Sequence, residues 1–171
     1  MRARYLAAIG FCLACFLIAG CAVPKRAESL NSSPASFWQG RLAVHTDPDA
    51  SRSQTQAQAF SAAFELRGNA ETGELLLLTP LGSTAAAIRW TPNGAELQAQ
   101  GNTRQFGNLQ QLILQTLGSD VPVSALFLWL RGHDIEVDGW QVDLSQSGQG
   151  KIVASRRQPP PTTQLRLILE Q

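Results

Sequence analysis

Residues 75–90 read LLLLTPLGSTAAAIRW: an apolar run, a break at Thr79-Pro80-Leu81-Gly82, and a second run in which Ala86, Ile88 and Trp90 share one face. Pro80 presets its φ for the second position of a turn and Gly82 relieves the backbone after it, so the stretch is a hairpin. Its tip is out of pattern. Hairpin tips are normally polar because they sit in water, yet Leu81 stands between Pro and Gly with no charged residue nearby. It must either fold back onto the body or project outward to meet something apolar. Single exposed leucines are common and usually mean little, so general grounds favour folding back.

Outward from the hairpin the period stays at two. Phe37–Thr46 alternates, with Trp38, Gly40, Leu42 and Val44 on one face and Arg41, Ala43 and His45 on the other. Residues 47–55 are polar and contain Pro48, which makes a loop, and Gln56–Leu66 then sets Phe60, Ala62, Phe64 and Leu66 on one face. Gly68, Asn69 and Gly73 turn the chain into the hairpin. After it, Pro92, Asn93 and Gly94 lead to a strand with Leu97 and Ala99 inward, and Gly101-Asn102 is a further turn. The period then changes to helical. Asn108 caps a segment with Leu109, Leu112, Ile113 and Leu117 on one side and Gly118 at its end. Pro122 opens a second helix with Val123, Leu126, Trp129 and Leu130 on one side, closed by Gly132, while Phe127 lies off that stripe and is expected to be exposed. Strands resume at Trp140, Val142 and Leu144, at Ile152 and Ala154, and, past Pro159–Pro161, at Leu165, Leu167 and Leu169. The order predicts a mainly β protein: an antiparallel sheet curled into a partly open barrel, with two short helices lying across it or plugging it.

The chain of 171 residues is long enough for one domain with a real core. Residues 1–20 carry Arg2, Arg4 and an apolar run from Tyr5 to Ile18, the pattern of a secretory signal and short of the roughly 20 apolar residues a span requires. Ile18-Ala19-Gly20-Cys21 resembles a bacterial lipobox, which implies cleavage before Cys21, lipid on its thiol and acylation of the new amino terminus. Ala22 stands where Asp would signal inner-membrane retention, so delivery to the outer membrane is implied. Residues 21–36 are the lipidated terminus and a polar, serine-rich tether with two prolines; a coil of ~15 residues reaches about 20 Å. Residues 37–171 are the folded domain. Losing Arg2 and Arg4 lowers the basic count from 14 to 12 against 13 acidic residues. Such a balance supplies no basic face for nucleic acid and no polybasic membrane patch. All three cysteines, Cys12, Cys15 and Cys21, lie in the leader and at its end, which excludes a disulfide, a Cys-based zinc site or a catalytic thiol in the body.

Catalytic signals are missing. His45 and His133 are far apart and belong to no metal motif, no Gly-x-Ser-x-Gly elbow occurs, and Leu81-Gly82-Ser83-Thr84 lacks a phosphate-loop lysine. Asp134, Glu136 and Asp138 alternate, which places them on one solvated strand face. No cofactor, metal or enzymatic activity is expected. A lipid-acting hydrolase would need a buried serine within reach of a histidine.

With the lipobox and PLGS together, the chain resembles the LolB family of outer-membrane lipoprotein receptors of Gram-negative bacteria. The resemblance runs through the strand with Arg41, LLLLTPLGST at 75–84, LQQLILQTLG, VPVSALFLWLRG and the terminal QLRLILE, and so spans nearly all of 37–170. The chain is shorter than the familiar enterobacterial member, chiefly before the last strand. The resemblance implies an unclosed antiparallel barrel, capped by helices, whose apolar cavity accepts the acyl chains of client lipoproteins. These arrive from a LolA-like periplasmic carrier and pass to the inner leaflet of the outer membrane, with Leu81 protruding for the release step. A monomer is expected. Its cavity would be walled by Leu42, Val44, Phe60, Ala62, Phe64, Ala86, Ile88 and Trp90 of the strands and Leu126 and Trp129 of the second helix, with Ala62, Ala86 and Ala99 leaving room between aromatic walls. That these residues simply fill a core stays open, as does a structural lipoprotein that scaffolds an outer-membrane machine without a ligand cavity.

Overall fold

The computed structural model describes residues 36–48, 57–117 and 119–170. The leader, Cys21, most of the tether, most of the first loop and Gly118 lie outside the described residues.

Among the described residues, nine antiparallel strands form one sheet: β1 (Ser36–Thr46), β2 (Gln58–Gly68), β3 (Gly73–Leu78), β4 (Thr84–Thr91), β5 (Gly94–Ala99), β6 (Asn102–Phe106), β7 (Trp140–Asp143), β8 (Lys151–Arg156) and β9 (Thr163–Leu169). Their order across the sheet is β6-β5-β4-β3-β2-β1-β9-β8-β7. The sheet does not close. Strands β6 and β7 are its two edges, and the chain between them carries α1 (Leu109–Leu117) and α2 (Val123–Leu130).

Register follows the apolar alternation. Val44 lies opposite Phe60 and Leu165, and Ile88 lies opposite Leu75 and Leu97, so each pair puts its side chains on one concave face. Strand residues from both ends of the sheet, Leu97 and Phe106 on one side and Ile152 and Ala154 on the other, join the two helices in a single core, which requires the sheet to curl. Close strand contact depends on Gly40. Its φ is +152° and an added Cβ would stand 2.0 Å from the Ile168 carbonyl oxygen. Gly40→Ala is therefore expected to lower unfolding free energy by at least ~2 kcal/mol, read from thermal unfolding, through backbone strain and displaced β9 pairing.

Three elements differ from the sequence expectations. Phe127 is buried at 2% exposure, against the exposed position its place on the helical wheel implied. Helix α2 has Ala125, Phe127, Trp129 and Leu130 all buried, and a helix packed on several sides has no solvent stripe to read. Asp134, Glu136 and Asp138 are exposed but lie in no strand. Their neighbour Ile135 gives its carbonyl to the Trp129 indole N–H at 3.0 Å, and Asp138 and Gly139 turn with positive φ. Finally, register shifts between Leu77↔Ala86 and Leu78↔Thr84, leaving Ala85 as a bulge at the base of the hairpin tip.

Candidate functional site

Between the helices and the concave face lies a partly open cavity of about 380 Å³. That falls inside the roughly 300–1,000 Å³ typical of ligand pockets. Strand β1 presents Leu42 and Val44 to it, β2 presents Phe60 and Phe64, and β4 presents Ala86, Ile88 and Trp90. Helix α2 adds Leu126. Among the residues expected there, Ala62 and Trp129 do not line it. Trp129 of α2 is fully buried outside that wall and packs on Trp140 with ring centroids 6.3 Å apart. Ala99, expected to leave room, lies opposite Ala86 and does line the wall.

Sequence reading missed several wall residues. Leu75 and Leu77 come from the opening run itself, where four consecutive leucines hide which two face inward; pairing with Ile88 and Ala86 settles it. Phe127 was hidden by the helix problem described above. Its ring lies 5.6 Å from Trp38 and 6.3 Å from Trp90, so the three aromatics brace one end of the cavity. From α1, Leu109, Leu112 and Ile113 close the top. Asn108 holds that helix in place by accepting the Gln111 N–H on its Oδ1 at 2.7 Å, as a cap should.

Among the described residues, the side chains of the wall are hydrocarbon apart from Thr46, Gln58, Thr116 and the indole N–H of Trp90, which is turned to the Asn69 carbonyl. No titratable side chain among the described residues lines the cavity. A void so lined offers water few partners and favours apolar matter.

A polar knot pins the connector between the helices. Trp140 Nε1 donates to the Asp120 carbonyl at 3.0 Å, Arg156 donates to Ser119 Oγ at 3.1 Å, and Ser119 and Thr163 share a buried hydroxyl hydrogen bond of 2.8 Å. Thr163→Val strips Ser119 of that partner while keeping the shape. The expected cost is ~1–3 kcal/mol, seen as a lower urea midpoint at unchanged slope.

At the tip, Leu81 is 95% exposed: it projects rather than folding back. The turn is held without it. Thr79 N–H donates to the Ser83 carbonyl at 2.8 Å, Gly82 N–H to the Thr79 carbonyl at 2.9 Å, and the Thr79 and Ser83 hydroxyls meet at 2.8 Å. Both histidines are exposed, and buried Ser119 bonds Thr163 and Arg156 rather than either of them. Among the described residues no three His, Cys, Asp or Glu side chains gather as a metal site, and no helix is long and apolar enough to cross a membrane.

The family described as "LolB: Outer membrane lipoprotein LolB" matches residues 37–160, most of the chain. The chain belongs to the LolB family. It is 33% identical to the outer-membrane lipoprotein LolB of Bordetella petrii over 92% of this chain and 88% of that one. Its identity to the LolB of Bordetella parapertussis is 30%, over 98% of this chain and 94% of that one. With the LolB of Shewanella oneidensis it shares 32% identity over 77% of its own length and only 58% of that protein's. The family match ends at residue 160, before β9, while β9 supplies the cavity with Leu165 and Leu167.

Proposed function

We propose that this protein is an outer-membrane lipoprotein, anchored on the periplasmic side through lipidated Cys21, that accepts lipoproteins from a LolA-like carrier and inserts them into the outer membrane. Residues 1–20 are its leader, 21–36 its tether and 37–171 its working domain. The observation that carries the reading is an apolar cavity of about 380 Å³ beside a leucine-tipped hairpin in a LolB-family chain.

Acyl chains need such a host. Each methylene moved from water to hydrocarbon gains about 0.8 kcal/mol, so a lipoprotein does not cross an aqueous gap unaided at a useful rate. The proposed route uses no nucleotide, which leaves a descent in free energy from carrier to receptor to bilayer. The receptor therefore binds strongly enough to accept cargo and weakly enough to release it. Leu126 and Phe127 on α2, with Phe64 and Trp90 on the strands, receive the chain. Leu81 leads it into the leaflet.

Displacement of a fluorescent fatty acid tests the cavity, and transfer of a labelled lipoprotein from loaded carrier to liposomes tests delivery. Saturable displacement and transfer are expected. Absence of saturable binding would instead fit a scaffold whose interior takes no ligand.

A further inference from the structure

The outer face of the sheet, opposite the cavity, carries a single register row: Leu78, Ala63, Arg41, Ile168 and Lys151 on β3, β2, β1, β9 and β8. Leu78 is the last residue of β3 before the Leu81 turn, so the row begins at the base of the tip. Leu76 shares its face. Both are half-buried, and neither packs on the core as Leu75 and Leu77 do. Ile168 is 48% exposed.

Arg166 lies one step along β9, opposite Ala43, and like Arg41 it is exposed. Arg41 and Arg166 are thus diagonal neighbours on adjacent strands, about 7–8 Å apart, where like charges repel. Neither has an ion-pair partner among the described residues. Nearby acids are engaged elsewhere: Glu65 with Arg67 at 3.1 Å, Glu74 with Arg89 at 2.8 Å, and Glu170 with the Gln39 amide at 2.9 Å. Lys151 counts for less, because Asp143 acts on it from β7. The Asp143 carboxyl is held below its usual value by the Ser145 hydroxyl and backbone N–H, with Lys151 adding to the effect.

We propose that this outer face, from Leu81 through Leu78 to Arg41 and Arg166, lies against the bilayer with the two arginines on the phosphates of anionic phospholipids. Apolar side chains entering the acyl boundary beside cations at headgroup level are the makings of an interfacial surface. Neither arginine is in ion-pair contact with a carboxylate among the described residues, and a phosphate layer supplies the counter-charge. This inference rests on the reading that Leu81 enters a membrane, and adds the lipid class and the orientation.

The native cysteines all lie at or before Cys21. One dye can therefore be placed on the lipidated protein at Gln164→Cys, an exposed β9 position, with Asn93→Cys at the β4–β5 turn as the control. Vesicles of phosphatidylethanolamine, with or without about a quarter phosphatidylglycerol, carry a headgroup quencher. Quenching at 164 is expected in the anionic vesicles only. Arg41→Gln/Arg166→Gln should shift the face-down equilibrium by roughly 25-fold, taking each arginine as about fivefold. Salt near 1 M should erase the difference. Equal quenching in neutral and anionic vesicles, or in wild type and double variant, overturns the proposal. So does slower cargo acceptance from the carrier with quenching unchanged, which would assign the face to an acidic protein. Failure of wild type to deliver cargo while quenching persists would instead sink the delivery reading and leave this one standing.

Discussion

Ala86→Phe is expected to abolish tight fatty-acid binding while leaving the protein folded. Ala86 lines the cavity and lies between Leu77 and Ala99, two other wall residues, so a ring built there enters the void directly. Excluding about three methylenes of an acyl chain costs ~2.4 kcal/mol, roughly a 50-fold loss of affinity. Stability should change little. Overpacking a filled core costs ~1–3 kcal/mol, but here the ring occupies space that is empty and gains burial of its own. Gln98→Phe is the control. Gln98 is exposed and faces outward opposite Ala87, so the same ring is added to the same region without touching the cavity. Displacement titration with both variants decides the matter: unchanged affinity in Ala86→Phe would mean that the probe binds somewhere else.

The concave wall was legible because alternation in a strand is a direct record of which side chains meet the core. Leu42 and Val44, Phe64 and Leu66, and Leu165 and Leu167 could be assigned from spacing alone. The opening hairpin was half legible. Its turn chemistry was explicit in Pro80 and Gly82, but four leucines in a row hold no phase, and the three alanines after the turn gave no sign that Ala85 bulges. Strand β6 reads Asn-Thr-Arg-Gln-Phe, polar along an edge with little to bury, so it announced itself only by the turn before it. Helix α2 failed for the opposite reason. Nearly every position is apolar, and the wheel could not say that Phe127 meets Trp38 and Trp90. The buried knot of Ser119, Arg156 and Thr163 was out of reach, because three polar residues separated by up to 44 positions carry no local pattern.

Leu81→Glu should leave cargo acceptance near wild type and cut delivery to liposomes by at least tenfold. Folding should be unaffected, since the side chain is 95% exposed and the turn is closed by Thr79, Gly82 and Ser83; surface changes of this kind usually stay within about 0.5 kcal/mol. Acceptance should be unaffected too, because Leu81 is not part of the cavity wall. Delivery is different. Burying a leucine gains about 1.5–3 kcal/mol, a factor of roughly ten to a hundred in favour of the docked state, and a carboxylate both forfeits that gain and resists leaving water. Leu81→Gln separates the two contributions: it should retain more delivery than Glu if charge matters, and match it if the lost apolar contact is the whole effect. Leu81→Phe should deliver as wild type does, because docking requires only an apolar group at the end of the hydrogen-bonded turn. Transfer from loaded carrier, followed with each variant in the same vesicles, tests the set together. Normal transfer by Leu81→Glu would take the tip out of the mechanism and leave the cavity to release its cargo without it.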